Sequence, residues 1–242
     1  MVAHHSGEQL ARDSAHELIL DSPRGELPGP RATASYHAGM PATTLLLGSS
    51  NPGKLREMLE LLAGMPYRVV APADVGLRGA PEETGTTFME NAVLKARHYA
   101  HESGLLTVAD DSGLSVDALG GGPGLYSSRF GGEGASDDDR NRMLLERLRG
   151  LPAERRGARF TSAVAAVRDG RVLFQVEESV EGRIAEEPRG PNGFGYDPVF
   201  FYPPFGKSFG EVSGPEKDRV SHRGKSFARL REFLRSLGDA PS

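Results

Sequence analysis

The chain contains no cysteine. That absence removes disulfides, thiolate nucleophiles and thiolate metal sites in one step. Long apolar runs are also missing near its start. The longest there, Leu18-Ile19-Leu20, is too short for a signal-peptide core or a membrane span. A cytoplasmic protein without a membrane partner is expected. There is no excess of basic charge, since 29 Lys and Arg stand against 33 Asp and Glu for a net charge of −4. Such a balance predicts no nucleic-acid surface. No internal repeat is visible.

What remains is an ordinary globular composition. The 242 residues are 38 % hydrophobic and 26 % charged, enough for one large domain or two small lobes around one core. Residues 1–41 show no sustained periodicity and are punctuated by Ser22-Pro23-Arg24-Gly25 and Pro28-Gly29-Pro30. They are read as a disordered extension or the product of a misplaced start. The folded domain is expected over 42–238.

Thr43 to Leu47 is a short strand pattern, followed by a Gly/Ser/Asn/Pro loop and by Leu55, Met58, Leu59, Leu61 and Leu62 at helical spacing. Tyr67 to Val70 reads as a second strand. Thr87 to Ser103 predicts a helix with Phe88, Met89, Ala92, Val93, Ala96, Tyr99 and Ala100 on one face. Thr87 or Thr86 would cap it, with Glu90 completing a capping box with Thr87. Leu105 to Ala109 is a strand expected to end at Asp110-Asp111, before a glycine-rich loop from Gly113 to Gly134. Ser136 caps a helix expected to reach Arg149. Phe160 to Val167 and Arg171 to Val176 flank Asp169-Gly170, which predicts a type I′ hairpin. Phe227 to Leu237 marks a final helix. Interleaved helices and strands with one hairpin make an α/β protein with a mixed sheet.

Five segments carry chemistry. Gly48-Ser49-Ser50-Asn51-Pro52-Gly53-Lys54 joins a strand to a helix, where backbone N–H groups and the helix dipole favour an anion. It approaches the phosphate-loop pattern, but Leu55 replaces the hydroxyl residue that binds magnesium there. Glu82-Glu83 precedes the Thr87 helix. Asp110 and Asp111 alternate in direction along a strand. One of them, with Glu82 or Glu83, suits magnesium, which takes one or two carboxylates plus water and phosphate oxygens. Gly193-Phe194-Gly195-Tyr196-Asp197 offers aromatics for stacking on a flat base, although both rings could instead be core. Lys217 through Ser221-His222-Arg223-Gly224-Lys225 precedes the last helix and offers donors to an anionic or carbonyl-bearing partner.

Taken in order, these segments resemble the inosine triphosphate pyrophosphatase family, the house-cleaning enzymes for non-standard purine triphosphates. The resemblance spans Thr44 to Leu237. It is carried by Ser49-Ser50-Asn51-Pro52-Gly53-Lys54, Glu83-Thr84-Gly85 with Phe88 and Glu90-Asn91-Ala92, Ala109-Asp110-Asp111-Ser112-Gly113-Leu114, Pro123-Gly124-Leu125-Tyr126-Ser127-Ser128-Arg129, Phe194-Gly195-Tyr196-Asp197-Pro198 and Ser221-His222-Arg223-Gly224. It implies an elongated α/β fold with a mixed central sheet and two lobes flanking a nucleotide cleft. It implies a homodimer and one magnesium ion per subunit. By the same resemblance Ser49, Ser50, Asn51, Pro52, Gly53 and Lys54 bind the triphosphate. Glu83 and Asp111 hold magnesium, and Asp111 also serves as general base. Ser112, Phe194, Gly195, Tyr196, Asp197, Lys217, His222 and Arg223 bind substrate. The implied reaction converts inosine, deoxyinosine and xanthosine triphosphates to monophosphate and pyrophosphate. A phosphate-loop NTPase and a non-catalytic nucleotide sensor are the competing readings.

Overall fold

The computed structural model describes residues 43–238; the expected extension over residues 1–41 lies outside the described residues. A seven-stranded sheet runs in the order β2-β1-β3-β4-β5-β6-β7. Strand β1 (Thr43–Leu47) pairs in parallel with β2 (Tyr67–Val70) on one side and with β3 (Leu106–Val116) on the other. The remaining strands, β4 (Gly157–Arg168), β5 (Arg171–Ile184), β6 (Phe200–Tyr202) and β7 (Lys207–Ser208), continue antiparallel. The mixed sheet is thus observed. The β4–β5 hairpin turns at Asp169-Gly170, whose φ angles of +52° and +72° are those of a type I′ turn.

Five helices frame the sheet: α1 (Pro52–Leu61), α2 (Phe88–Ser103), α3 (Asp137–Arg147), α4 (Gly214–Asp218) and α5 (His222–Gly238). Two expectations need correction. Strand β3 does not end at Asp110-Asp111 but continues through Gly113 to Val116, paired with β4 throughout. The apolar run stops there because polar side chains on other elements meet the strand's own. Glu90 does not close a capping box on Thr87. Thr87 accepts the Glu90 N–H, while the Glu90 carboxylate takes the N–H and hydroxyl of Thr86.

The period-2 alternation of β3 explains where the core breaks. On one face Leu106 and Val108 join Leu45, Leu47, Met58, Phe227, Leu230 and Leu234 in an apolar cluster beneath α1 and α5. Farther along the same face Leu114 and Val116 join Leu144, Phe160, Phe200 and Phe209 in a second cluster beneath α3. Each buried Phe or Leu stabilises by roughly 1.5–3 kcal/mol. Between the clusters lie Asp110 and Ser112, beside Ser162 of β4. On the opposite face α2 lies against alanines, with Ala92, Ala96 and Ala100 meeting Ala109, Ala163 and Ala165. Asp111 belongs to that face. No helix among the described residues is long and apolar enough to cross a membrane.

Candidate active site

The loop after β1 is built to expose a helix start. Asn51 has extended backbone and its Oδ1 accepts the Lys54 N–H at 2.9 Å, while Pro52 opens the helix. Lys54 reaches inward to Asp110, with Nζ 3.1 Å from Oδ2. Glu57, one turn farther along α1, is buried.

Asp110 and Asp111 part to opposite faces of β3. Asp110 is fully buried and accepts from Ser162 at 2.6 Å, from Ser112 at 3.0 Å and from Arg223 at 3.4 Å. Burial alone would raise its carboxyl, but Arg223 and Lys54 hold it far below the ordinary carboxylate range. Asp111 faces α2. Its Oδ1 accepts from Lys95 Nζ at 2.7 Å and its Oδ2 from Asn91 Nδ2 at 3.3 Å. Burial pushes the Asp111 carboxyl up, and Lys95 offsets that only in part.

Lys95 also donates to Glu83 at 2.9 Å, so one ammonium joins the two carboxylates expected to hold metal. Asn91 accepts the Gly85 N–H at 2.8 Å and thereby ties the Glu83 loop to α2. Arg129 donates to the other Glu83 oxygen at 2.7 Å. No third carboxylate or imidazole joins this pair among the described residues. A pair of carboxylates is the donor set magnesium takes beside water and phosphate oxygens, with Lys95 and Arg129 engaging their oxygens here.

On the Asp110 side a cleft opens between the apolar clusters. Asn51, Lys54, Ser112, Phe194, Gly195, Tyr196, Asp197, Lys217, His222 and Arg223 line it. Ser49, Ser50, Pro52 and Gly53 do not. Gly53 instead lets the Phe194 ring approach, because a Cβ there would lie 2.6 Å from the ring. The Phe194 ring also lies 5.2 Å from the Lys217 ammonium and 5.7 Å from the Arg223 guanidinium. Tyr196 is nearly all buried, and its hydroxyl donates to the Ser127 carbonyl at 2.8 Å. Asp197 accepts the Phe194 N–H at 2.9 Å and an ion pair from Lys217.

The Ser221–Lys225 segment does not precede the last helix; His222 and Arg223 form its first turn. Two basic groups at a positive helix end need anions. Arg223 finds Glu57 at 2.6 Å and Ser112 at 2.7 Å, and Lys217 finds Glu57 at 2.6 Å. His222 stacks on Phe160 with centroids 4.7 Å apart. Burial, with Arg223 and Lys217 nearby, lowers its pKa well below the usual imidazole value, so the ring is neutral at pH 7.

Sequence reasoning missed Glu57, Lys95 and Ser162. Lys95 carried one signal, a lysine flanked by Ala92, Ala96 and Tyr99 on the apolar face of α2. Glu57 and Ser162 carried none.

A model of the Ham1 family matches residues 45–233. A dITP/XTP pyrophosphatase of Thermus thermophilus is 50 % identical over 198 residues, covering 81 % of this chain and 93 % of the relative. One from Xanthomonas oryzae is 47 % identical, covering 80 % and 98 %. Among solved structures, a Ham1 protein from Coxiella burnetii superposes with TM-score 0.72 at 39 % identity, covering 80 % of this chain and 99 % of that one. A nucleoside-triphosphatase / dITP/XTP pyrophosphatase from Mycobacterium abscessus does so with TM-score 0.63 at 42 % identity, covering 78 % and 98 %. The chain belongs to the Ham1 family.

Proposed function

We propose that the chain hydrolyses non-standard purine nucleoside triphosphates, among them ITP, dITP and XTP, to monophosphate and pyrophosphate. The reading rests on its dITP/XTP pyrophosphatase relatives and on one observation above all. The adjacent Asp110 and Asp111 serve different sides of one strand, a basic nucleotide cleft and a lysine-bridged carboxylate pair. Removal of these non-standard nucleotides keeps them out of newly made DNA and RNA.

The triphosphate lies along the start of α1, held by the loop from Ser49 and by Lys54. Asp110 stays anionic and aims Lys54 and Arg223. Glu83 and Asp111 hold magnesium, which when bound offsets phosphate charge and polarises the reacting phosphoryl group. Asp111 orients a water and accepts its proton. The water oxygen bonds to the α-phosphorus, the α–β bridging bond breaks, and pyrophosphate leaves. Lys95 keeps the two carboxylates together. Leu55, at the position where a phosphate-loop enzyme has its metal-binding hydroxyl, packs against the apolar cluster instead.

In the cleft Phe194 stacks on the base, a contact of about 1–3 kcal/mol. Arg223, neutral His222 and backbone N–H groups donate to the 6-keto oxygen. The 6-amino group of adenine cannot accept from them, and buried donors left unpaired discriminate strongly. The active enzyme is a homodimer in the cytoplasm.

Asp111→Asn tests the assignment. It keeps the shape and removes the base, so kcat with ITP should fall by roughly 100-fold or more while the thermal midpoint holds. Undiminished turnover in the variant would remove Asp111 from the chemistry.

A further inference from the structure

Helix α3 contributes nothing to the chemistry above, yet two of its side chains are committed to the Phe194–Asp197 loop. Asn141 is buried, and its Nδ2 donates to the Gly195 carbonyl oxygen at 2.9 Å. One turn earlier, Asp137 Oδ2 accepts the Gly195 N–H at 2.7 Å. Residues four apart on a helix share a face, which is why both reach the same loop residue. Gly195 is thus gripped at both backbone polar groups, at a φ of +60° in the left-handed region. Arg140 fixes the carboxylate in turn by pairing with Asp137 Oδ1 while donating to the Ala135 carbonyl at 2.6 Å.

The remaining oxygen of Asn141 is buried with no hydrogen-bond partner. A buried acceptor left unpaired is destabilising, and an apolar residue of similar shape would avoid that cost. Packing alone therefore favours leucine at this position. What asparagine adds is the bond to Gly195, and Gly195 sits between the two aromatic residues of the loop.

We propose that Asn141 and Asp137 are positioning residues that set the base-stacking loop, holding Phe194 where the purine must lie. This rests on the assignment of that loop to the base. Freed from α3, the loop would populate the binding-competent arrangement for only part of the time. Apparent affinity falls by that fraction while the chemical step is untouched. The effect therefore belongs in KM, for ITP and ATP alike, rather than in kcat.

The test compares the full-length wild type with Asn141→Leu, Asp137→Ala and Asp137→Asn. Steady-state kinetics are run with ITP and with ATP, and thermal midpoints are recorded. Asn141→Leu should raise KM for ITP about three- to tenfold, as expected for one lost hydrogen bond, with kcat held within about twofold. KM for ATP should rise by the same factor, and the midpoint should equal or exceed that of the wild type. Asp137→Ala should move KM the same way. Asp137→Asn keeps an acceptor oxygen and should restore the wild-type value. Should Asn141→Leu not fold, Asp137→Ala, at a half-exposed position, decides alone. An unmoved KM in the variants would overturn the proposal, as would a kcat that falls in step with the midpoint. No ITP turnover by the wild type would overturn the functional reading, and this proposal with it. Wild-type turnover beside unmoved variants would overturn this proposal alone.

Discussion

Buried charge at this site is tolerated because every ion is shared. Glu57 takes both Lys217 and Arg223, Arg223 also reaches Asp110, and Asp110 takes Lys54. Removing one member would leave a partner unpaired in the interior, a loss of about 3–5 kcal/mol. Asp218 is the exception at the edge of this network. Its half-buried carboxyl is desolvated and lies near Glu57, which pushes its pKa up to about 6. A folded-state pKa above the unfolded value means that the folded protein binds the extra proton. The stability linked to it is present below about pH 4 and is lost as pH rises through about 6. Asp218→Asn should therefore gain about 1 kcal/mol over the wild type at pH 8 after allowance for solvent screening. The gain should vanish at pH 4. Urea unfolding at the two pH values checks this, and an equal gain at both would refute the assignment.

Among the elements, α1 shows function overriding propensity. Gly53 lies in its first turn at an ordinary helical position, where alanine would be better by about 1 kcal/mol. A Cβ there would press into the Phe194 ring at 2.6 Å. Gly53→Ala should keep or raise the thermal midpoint and raise KM for ITP about tenfold by displacing a stacking contact of roughly 1–3 kcal/mol. An unchanged KM would mean that the ring is not needed where it lies. Much at this scale was legible in the chain. The Asp169-Gly170 hairpin and the α2 face follow from local chemistry. The length of β3 was not, because Asp110 and Ser112 look like a strand end until Ser162 and Arg223, 52 and 113 residues from Asp110, are seen to pair with them. His222 and Arg223 looked like a turn before the helix for the same reason, since the anions that satisfy Arg223 lie on α1 and β3. The motif segments were legible as a family pattern. Glu57 was hidden because a buried ion pair has no local signature, and Lys95 showed only as a lysine on the apolar face of α2.

Over the whole described domain, one design recurs. Two apolar clusters flank a polar band on a single face of the sheet, and the band carries the cleft. A chain of net charge −4 thus gathers Lys54, Lys217 and Arg223 along one cleft, each paired with a buried carboxylate. The acidic pair that would hold metal sits on the far side of β3, behind Lys95. The most direct test is product analysis with magnesium and ITP, with GTP and ATP run in parallel and a chelator as control. Monophosphate and pyrophosphate are expected in equal amounts, formed fastest from ITP and abolished by the chelator. Diphosphate and orthophosphate, or equal rates on ATP, would contradict the assigned reaction.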